Sequence, residues 1–358
     1  MTAVSATSCL RLPTLVCGLL LLVPGCGSEP AETGSSEASA RPPGWPAPRV
    51  QIVETEPLRI DRIYPSMTGP YDWVEVDVSE LDWVTAFKSD VIDADSREAM
   101  GGEFFCHSGL TQPNFTRLMV TATGMEEVRF PPGFGMPVSQ ILSGLPPHER
   151  RLRMLGMVLN NYEKEIDRMA RVRATIEYYK KEDLGSMPIK KLYHQGLTLE
   201  VQDLEEWNPE DGPPLQDDVS THCSLVDGLV THWVVPPGRQ KTRKRYSNFL
   251  PGDGTVHYGL VHLHNHGVYM RITDVTAGKV LWQVEPVYEK ERRQIVDIPA
   301  YSSEEGFRIY KDHEYELEAV YENTTGEGIS AMAMIWLFYH PDGDLNIVYP
   351  HPPGERRL

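Results

Sequence analysis

The amino-acid sequence predicts an all-β protein with antiparallel sheets, on three observations. WVEVDV (73–78) and VRATIEYY (172–179) alternate apolar and polar residues, as half-buried strands do. Further along, short apolar runs are separated by the turn signals VPPG, PGDG, TAG and TTGEG, a spacing typical of an antiparallel sandwich. With 358 residues, 41% of them hydrophobic, the chain is long enough for two cores of ordinary size.

The first 25 residues predict a secretory signal peptide. Arg11 is their only charged side chain, and the apolar run LPTLVCGLLLLVPG is too short to span a bilayer. The run ends in VPGC, which resembles the lipobox of bacterial lipoproteins, so Cys26 is the predicted lipidation site. Plain secretion and an uncleaved anchor are the alternatives. We therefore expect an extracytoplasmic lipoprotein, tethered to the membrane in the bacterial periplasm or at the cell surface.

Composition divides the remainder of the chain into a tether and two domains. Residues 26–50 are rich in Pro, Ala, Ser, Gly and Glu and are predicted to be a linker. The acidic, proline-rich stretch EEWNPEDGPPLQDD marks a boundary between domains at 51–205 and 206–350. Residues 148–181 could form a helix on propensity alone, but Leu152 and Met154 alternate with arginines, which favours strands.

Charge excludes one class of partner. The formal net charge of −17 would repel the phosphates of nucleic acid, so no nucleic-acid partner is expected. The one basic stretch, Arg239 to Arg245, is interpreted as a solvated turn or hairpin flank. P-loop, GxGxxG and nucleophile-elbow motifs are absent from the sequence.

Two cysteines remain once the signal and the lipidation site are set aside. In an oxidising compartment Cys106 and Cys223 suggest a disulfide. Each has a histidine beside it, so a metal site drawing on Cys106, His107, His222 and Cys223 is a second interpretation, and separate thiols are a third.

GLVHLHNHG places three histidines in five positions. Alternate residues of a strand share a face, so His262, His264 and His266 could line one side. ISAMAMIWLFY offers Met332 and Met334 on one face of another strand. Two imidazoles and a thioether would favour copper, whereas the alternative is that the methionines are core residues and the histidines half exposed. Scattered histidines such as His232 are interpreted as satisfied or exposed.

The carboxy-terminal half resembles a known family. The order VTHWVVPPG, TVHYGLVHLHNHG, DVTAGKVLWQ and DHEYELEAVYENTTGEGISAMAMIWLFY is similar to that of the ascorbate-dependent copper type II monooxygenases, over residues 219–340. The resemblance implies two jelly-roll β-sandwiches, with copper on His262, His264 and Met332. Met334 is the fallback ligand, and His266 has no counterpart. It also implies ascorbate or another reductant as the electron donor.

The amino-terminal half departs from this pattern. Cys106-His107 stands where the family has a His pair, and Asn161 stands where it has a third His. Asparagine is a poor copper ligand, so this site is expected to be altered or absent. Leu260 and Trp336 replace the Arg and Tyr of the peptide-amidating branch, which argues against peptide amidation.

Taken together, the sequence predicts a copper-dependent monooxygenase that hydroxylates an unknown small-molecule or peptide substrate. The alternative is a non-catalytic copper-binding lipoprotein for sequestration or delivery. A third hypothesis is a structural sandwich without a metal. The substrate and the oligomeric state are not predicted.

Overall fold

A computed structural model describes residues 44–64, 68–113, 116–199, 202–203, 229–230, 232–289 and 294–343. The first twelve strands are β1 Arg49–Glu54, β2 Leu58–Ile60, β3 Tyr71–Val76, β4 Trp83–Asp93, β5 Phe105–Thr111, β6 Arg117–Ala122, β7 Glu127–Arg129, β8 Phe134–Gly135, β9 Leu152–Val158, β10 Arg168–Tyr179, β11 Lys190–Lys191 and β12 Tyr193–Thr198.

The other twelve strands are β13 Gln202–Asp203, β14 Leu229–Val230, β15 His232–Val235, β16 Gly238–Ser247, β17 Gly254–Leu263, β18 Gly267–Asp274, β19 Lys279–Val284, β20 Val287–Tyr288, β21 Ile295–Asp297, β22 Tyr301–Ile309, β23 Glu314–Asn323 and β24 Ile329–Pro341. The helices are short: α1 Val138–Ser143, α2 Lys181–Leu184, and 3₁₀ turns at Gly102–Phe104 and Pro147–Glu149. None of the described helices has the length and hydrophobicity needed to cross a membrane.

Two sheets form the amino-terminal part. One has the order β1-β10-β4-β7, with β2 also on β10, and the other has the order β3-β9-β5-β6. Strand β10 shows why these residues fold as strands: Val172, Ala174 and Ile176 are fully buried, while the residues between them are half exposed. This period of two matches the pleat of a strand, and it is absent from a helix.

Two further sheets form the carboxy-terminal part. One has the order β12-β24-β17-β22, with β15 also on β24, and the other has the order β16-β23-β18-β19. Strand β24 is central in the first sheet and is almost wholly buried, as its apolar run predicts. It places Met334 opposite His262 of β17, and Met332 opposite His232 of β15.

One hydrophobic core runs through both parts. The ring of Phe130 in the amino-terminal part lies 5.0 Å from Phe338 and 5.6 Å from Tyr258 in the carboxy-terminal part. Tyr258 also donates a hydrogen bond to the carbonyl of Glu127, at 3.2 Å. These contacts join the two pairs of sheets, because a buried aromatic cluster excludes water from the junction.

The prediction of an all-β protein with antiparallel sheets is confirmed, and so is the choice of strands between 148 and 181. The jelly-roll arrangement and the domain limits stay predictions, although β12, placed before the predicted boundary, pairs with β24. The basic stretch is an edge strand rather than a turn: β16 carries Arg243 and Arg245 opposite glutamates of β23. The signal peptide, Cys26, His222 and Cys223 lie outside the described residues.

Candidate functional site

A cavity of about 340 Å³ opens beside the end of β17, and we call it the histidine cavity. Its walls combine apolar side chains with a few polar groups. They are Cys106, His107, Arg117, Val120, Ala122, Thr123, Leu159, Asn161, His262, Leu263, His264, Asn265, Gln294, Ile295, Ser330, Met332, Met334 and Trp336. Binding sites for small molecules usually have this composition, with polar groups at a few places on an apolar surface.

Strand β17 and the turn after it position two of the histidines. The backbone N–H of His264 lies 3.1 Å from the hydroxyl oxygen of Tyr321, and this buried hydroxyl in turn donates to the carbonyl of Met332. Tyr321 therefore fixes the start of the turn against β24. The imidazole rings of His262 and His264 consequently lie edge to face, with centroids 5.2 Å apart.

His266 does not share their face. Strand β17 ends at Leu263, and residues 264–267 form a turn in which His266 has a φ of 72°. This left-handed conformation ends the alternation that the spacing of the three histidines predicted. Only His262 and His264 of the cluster line the cavity.

A third imidazole, which no pattern in the sequence singled out, belongs to the same group. The ring of His232 on β15 lies 5.3 Å from that of His264. Its side chain is 5% exposed, and Met332 is its partner across the strands. His232 reaches this group because β15 pairs with β24, which is distant in the chain. Spacing along the sequence could not reveal this pairing.

The clustered imidazoles are neutral at pH 7. Burial, followed by the neighbouring His264, lowers the pKa of His232 to about 3. Burial lowers the pKa of His264 to about 4, against the opposing effect of its contact with the Ser330 carbonyl. The pKa of His262 is lowered well below its ordinary value by burial and then by the surrounding imidazoles and Arg117. Neutral imidazole can both donate and accept a hydrogen bond.

The opposite wall carries Cys106 and His107, which are adjacent in the sequence. The register shifts between Phe105 and His107, so a bulge replaces the regular alternation of β5. Both side chains consequently line the cavity, with Nδ1 of His107 3.3 Å from the sulfur of Cys106. The expectation that adjacent residues point to opposite faces is therefore overridden by the bulge at this position.

The structure thus brings together most of the residues singled out in the sequence. His262, His264, Met332, Met334, Cys106, His107, Asn161 and Trp336 all line the cavity. Leu260 is a core residue. Cys223 lies outside the described residues, so the disulfide between Cys106 and Cys223 stays a prediction.

Charge in the histidine cavity is confined to one described residue. Arg117 lies at the first position of β6 and is the only Arg, Lys, Asp or Glu among the described lining residues. It lies close enough to His262 to lower the pKa of that imidazole. An anion would be favoured here, since electrostatic attraction is stronger where water is excluded.

The described residues do not form an evident metal centre. No three His, Cys, Asp or Glu side chains in this part of the chain are arranged to hold one metal ion. The set predicted from the sequence, His262, His264 and Met332, includes a thioether and so falls outside this comparison. As copper ligands these three residues stay a prediction, as does Met334 as the fallback.

Comparison with known proteins returns only weak likenesses. No protein-family profile and no curated protein matches the chain. One solved structure, a peptide-N(4)-(N-acetyl-β-D-glucosaminyl) asparagine amidase, is 10% identical with a TM-score of 0.39, covering 83% of this chain and 98% of its own. Another, PNGase F from Flavobacterium meningosepticum, is 9% identical with a TM-score of 0.38, covering 82% and 97%. Likenesses at this level do not carry a function to this chain.

These comparisons correct the predicted family and function. The two structures named above are described as an asparagine amidase and a glycosylasparaginase, neither is a copper monooxygenase, and no family profile supports that assignment. The predicted copper-dependent monooxygenase is therefore contradicted, and the alternative of copper sequestration or delivery is equally without support. No family profile supports an oxidoreductase.

Proposed function

We propose that the protein binds a small, largely apolar anion in the histidine cavity, on the outer side of the cytoplasmic membrane. The observation that carries the proposal is the positive charge of Arg117, the only Arg, Lys, Asp or Glu among the described residues of a largely apolar wall. A carboxylate on an aromatic or aliphatic frame matches this combination, because its frame can cover the apolar wall while its charge faces Arg117.

His262 supports the same ligand. Its Nδ1 atom is buried and makes no hydrogen bond to any described residue. Buried polar atoms normally have a partner, so an unsatisfied one at a cavity wall indicates a group that arrives with the ligand. A neutral imidazole can donate to a carboxylate oxygen without adding a second charge.

The proposal assigns binding and no reaction. General-base catalysis works best when the pKa of the base lies near the operating pH. The pKa of His264 is about 4 and that of His262 is also lowered, so both are weak bases at neutral pH. Extracytoplasmic location and tethering through Cys26 belong to the same proposal, and both rest on the sequence.

Two fluorescent probes with one ring system test the proposal. We would titrate purified protein with 2-naphthoate and with 2-naphthylmethanol, which have similar frames and differ in charge. The parent should bind naphthoate more tightly. Replacing Arg117 with Gln should weaken naphthoate binding roughly tenfold, the effect of losing one charge-assisted hydrogen bond, and should leave naphthylmethanol unchanged.

Two further variants serve as controls. Arg117→Lys keeps the charge and should retain the preference for naphthoate. Arg151→Gln removes a surface arginine whose side chain is 54% exposed, and it should behave as the parent. Equal binding of the two probes by the parent, or a naphthoate affinity unchanged in a folded Arg117→Gln variant, would overturn the proposal. Prior dialysis against a chelator should not alter the result, since the predicted contacts come from protein groups.

A further inference from the structure

A second cavity, of about 610 Å³, lies on the other side of a shared wall, and we call it the acidic cavity. Thr123, Gln294 and Ile295 line both cavities. The charged residues that line the acidic cavity are Lys88, Asp90, Glu103, Glu126 and Glu289. Four of these five carry a carboxylate, so the charge here is opposite to that in the histidine cavity.

The negative charge is only partly compensated by the described residues. Asp90 pairs with Arg173 at 2.9 Å, and Lys88 approaches the same carboxylate at 3.9 Å. Glu103, Glu126 and Glu289 make no ion pair with any residue that the structure describes. Arg173 pairs with Asp90, and the charge of Lys88 also lowers the pKa of Glu126, so the described residues offset the charge of the three glutamates only in part.

Glu126 is half buried at the wall of the acidic cavity. Its carboxylate accepts a hydrogen bond of 2.8 Å from the backbone N–H of Gly124, which fixes its position at the wall. Burial raises the pKa of Glu126, and the nearby carboxylate of Asp297 raises it further. A charged group in this position gains from a positively charged partner, because the partner would offset both effects.

Gln294 gives an independent indication of a ligand. Its side chain is 8% exposed and lines the cavity, yet its amide makes no hydrogen bond to any described residue. An amide offers one acceptor and two donors, so it can bind a ligand that carries hydrogen-bonding groups. A ligand with N–H groups would satisfy the amide oxygen.

We propose that the acidic cavity binds an organic cation, a primary amine or diamine, with its ammonium group on Glu126 and Gln294. A bare metal ion fits less well. Calcium requires six to eight oxygen ligands at about 2.3–2.6 Å, and no three described carboxylates are arranged around one point. A cavity of about 610 Å³ instead has room for an extended molecule. This proposal does not depend on the function proposed for the histidine cavity.

Calorimetric titration of the purified protein with putrescine tests the inference. We expect Glu126→Gln to weaken putrescine binding roughly tenfold, through the loss of one charge-assisted hydrogen bond. The matched control is Glu127→Gln, the same change one residue later. Glu127 pairs with Arg129 at 2.6 Å, away from the acidic cavity, so this variant should bind as the parent does. Arg117→Gln should also leave putrescine binding unchanged.

Variants of Gln294 provide a second test of putrescine binding. Gln294→Glu adds a carboxylate at the unsatisfied amide and should tighten putrescine binding, while Gln294→Leu should weaken it. Both variants are compared with the parent by urea unfolding, so that a loss of folding is recognised. Equal weakening by Glu126→Gln and Glu127→Gln would mean a general attraction to an acidic protein and would overturn the inference. Calcium binding in preference to putrescine would also overturn it.

Discussion

The two cavities share a wall but hold charge in different ways. In the histidine cavity the imidazoles of His262 and His264 are neutral at pH 7, and Arg117 carries the charge of the described wall. In the acidic cavity three glutamates make no ion pair with described residues. An imidazole can lose its charge at little cost when it is buried, because its ordinary pKa is already near 6.5. A carboxylate has an ordinary pKa well below 7, so it stays charged at neutral pH unless burial raises that pKa by a large amount.

Glu318 shows a third arrangement, in which a buried carboxylate is fully compensated. It is 1% exposed and receives Arg243 at 2.5 Å and Arg271 at 2.6 Å. Tyr269 adds a hydrogen bond of 2.5 Å. Burial by itself would raise the pKa of Glu318, but the hydrogen bonds from Tyr269 and Arg243 and the two positive charges lower it overall. Compensation therefore distinguishes a structural carboxylate from one that is available to a ligand.

The largest effect is expected from removing these two carboxylates separately. Glu318→Gln should lower the free energy of unfolding by about 3 kcal/mol, since it removes the buried carboxylate that pairs with Arg243 and Arg271. Glu126→Gln should leave it unchanged or slightly raised at pH 7, because the pKa of Glu126 is raised in the folded protein. Urea unfolding of both variants measures the difference. An equal loss in the two variants would show that Glu126 is also compensated within the protein.

Much of the fold followed from the sequence, because it depends on local patterns. The alternation in β10 and the apolar run of β24 are repeated over a dozen residues, so each identifies a strand by itself. The end of β17 was harder to predict from the sequence. The spacing of His262 and His264 is repeated at His266, although the chain already turns there. A left-handed non-glycine residue carries no reliable signal in a single sequence.

The site was predicted in part for the same reason. His262, His264, Met332 and Met334 are recognisable because each pair occupies alternate positions of one strand. His232 and Arg117 reach the site through strand pairing and packing between distant segments, which no local pattern encodes. Assigning a function from the order of short motifs failed, since such motifs also arise from the ordinary construction of antiparallel sheets.

A smaller effect is expected at the wall that separates the cavities. Gly124 has a φ of 77°, and a Cβ placed on it would lie 2.5 Å from Cγ2 of Ile295. Gly124→Ala should therefore cost about 2–3 kcal/mol, from backbone strain together with overpacking. Gly133 is the matched control, because its φ is 84° and nothing lies within 4 Å of the added atom.

Gly133→Ala should cost only the strain, about 1 kcal/mol. The comparison by urea unfolding separates conformation from packing at the wall. Probe binding would report on the same wall: Gly124→Ala should alter the affinities for both naphthoate and putrescine, and Gly133→Ala should alter neither. If the two alanine variants lose equal stability, Ile295 does not press on Gly124 in solution.

At neutral pH the smallest effect on stability is expected from the neutral histidines, and His194 allows their pH dependence to be measured away from both cavities. His194 on β12 is 9% exposed, and burial lowers its pKa to about 4. Between pH 6.5 and 4 the unfolded chain binds a proton at this residue and the folded protein does not. Its contribution to stability is therefore complete above pH 6.5 and is lost as the pH falls, at about 1.4 kcal/mol per pH unit.

In His194→Gln the free energy of unfolding should fall less steeply over this range, by about that slope. His148→Gln, at a side chain that is 78% exposed, is the control for replacing a histidine by glutamine at the surface. If the slope of His194→Gln matched that of the parent, His194 would titrate alike in the folded and unfolded states, and the account of buried neutral imidazoles would fail where its geometry is simplest.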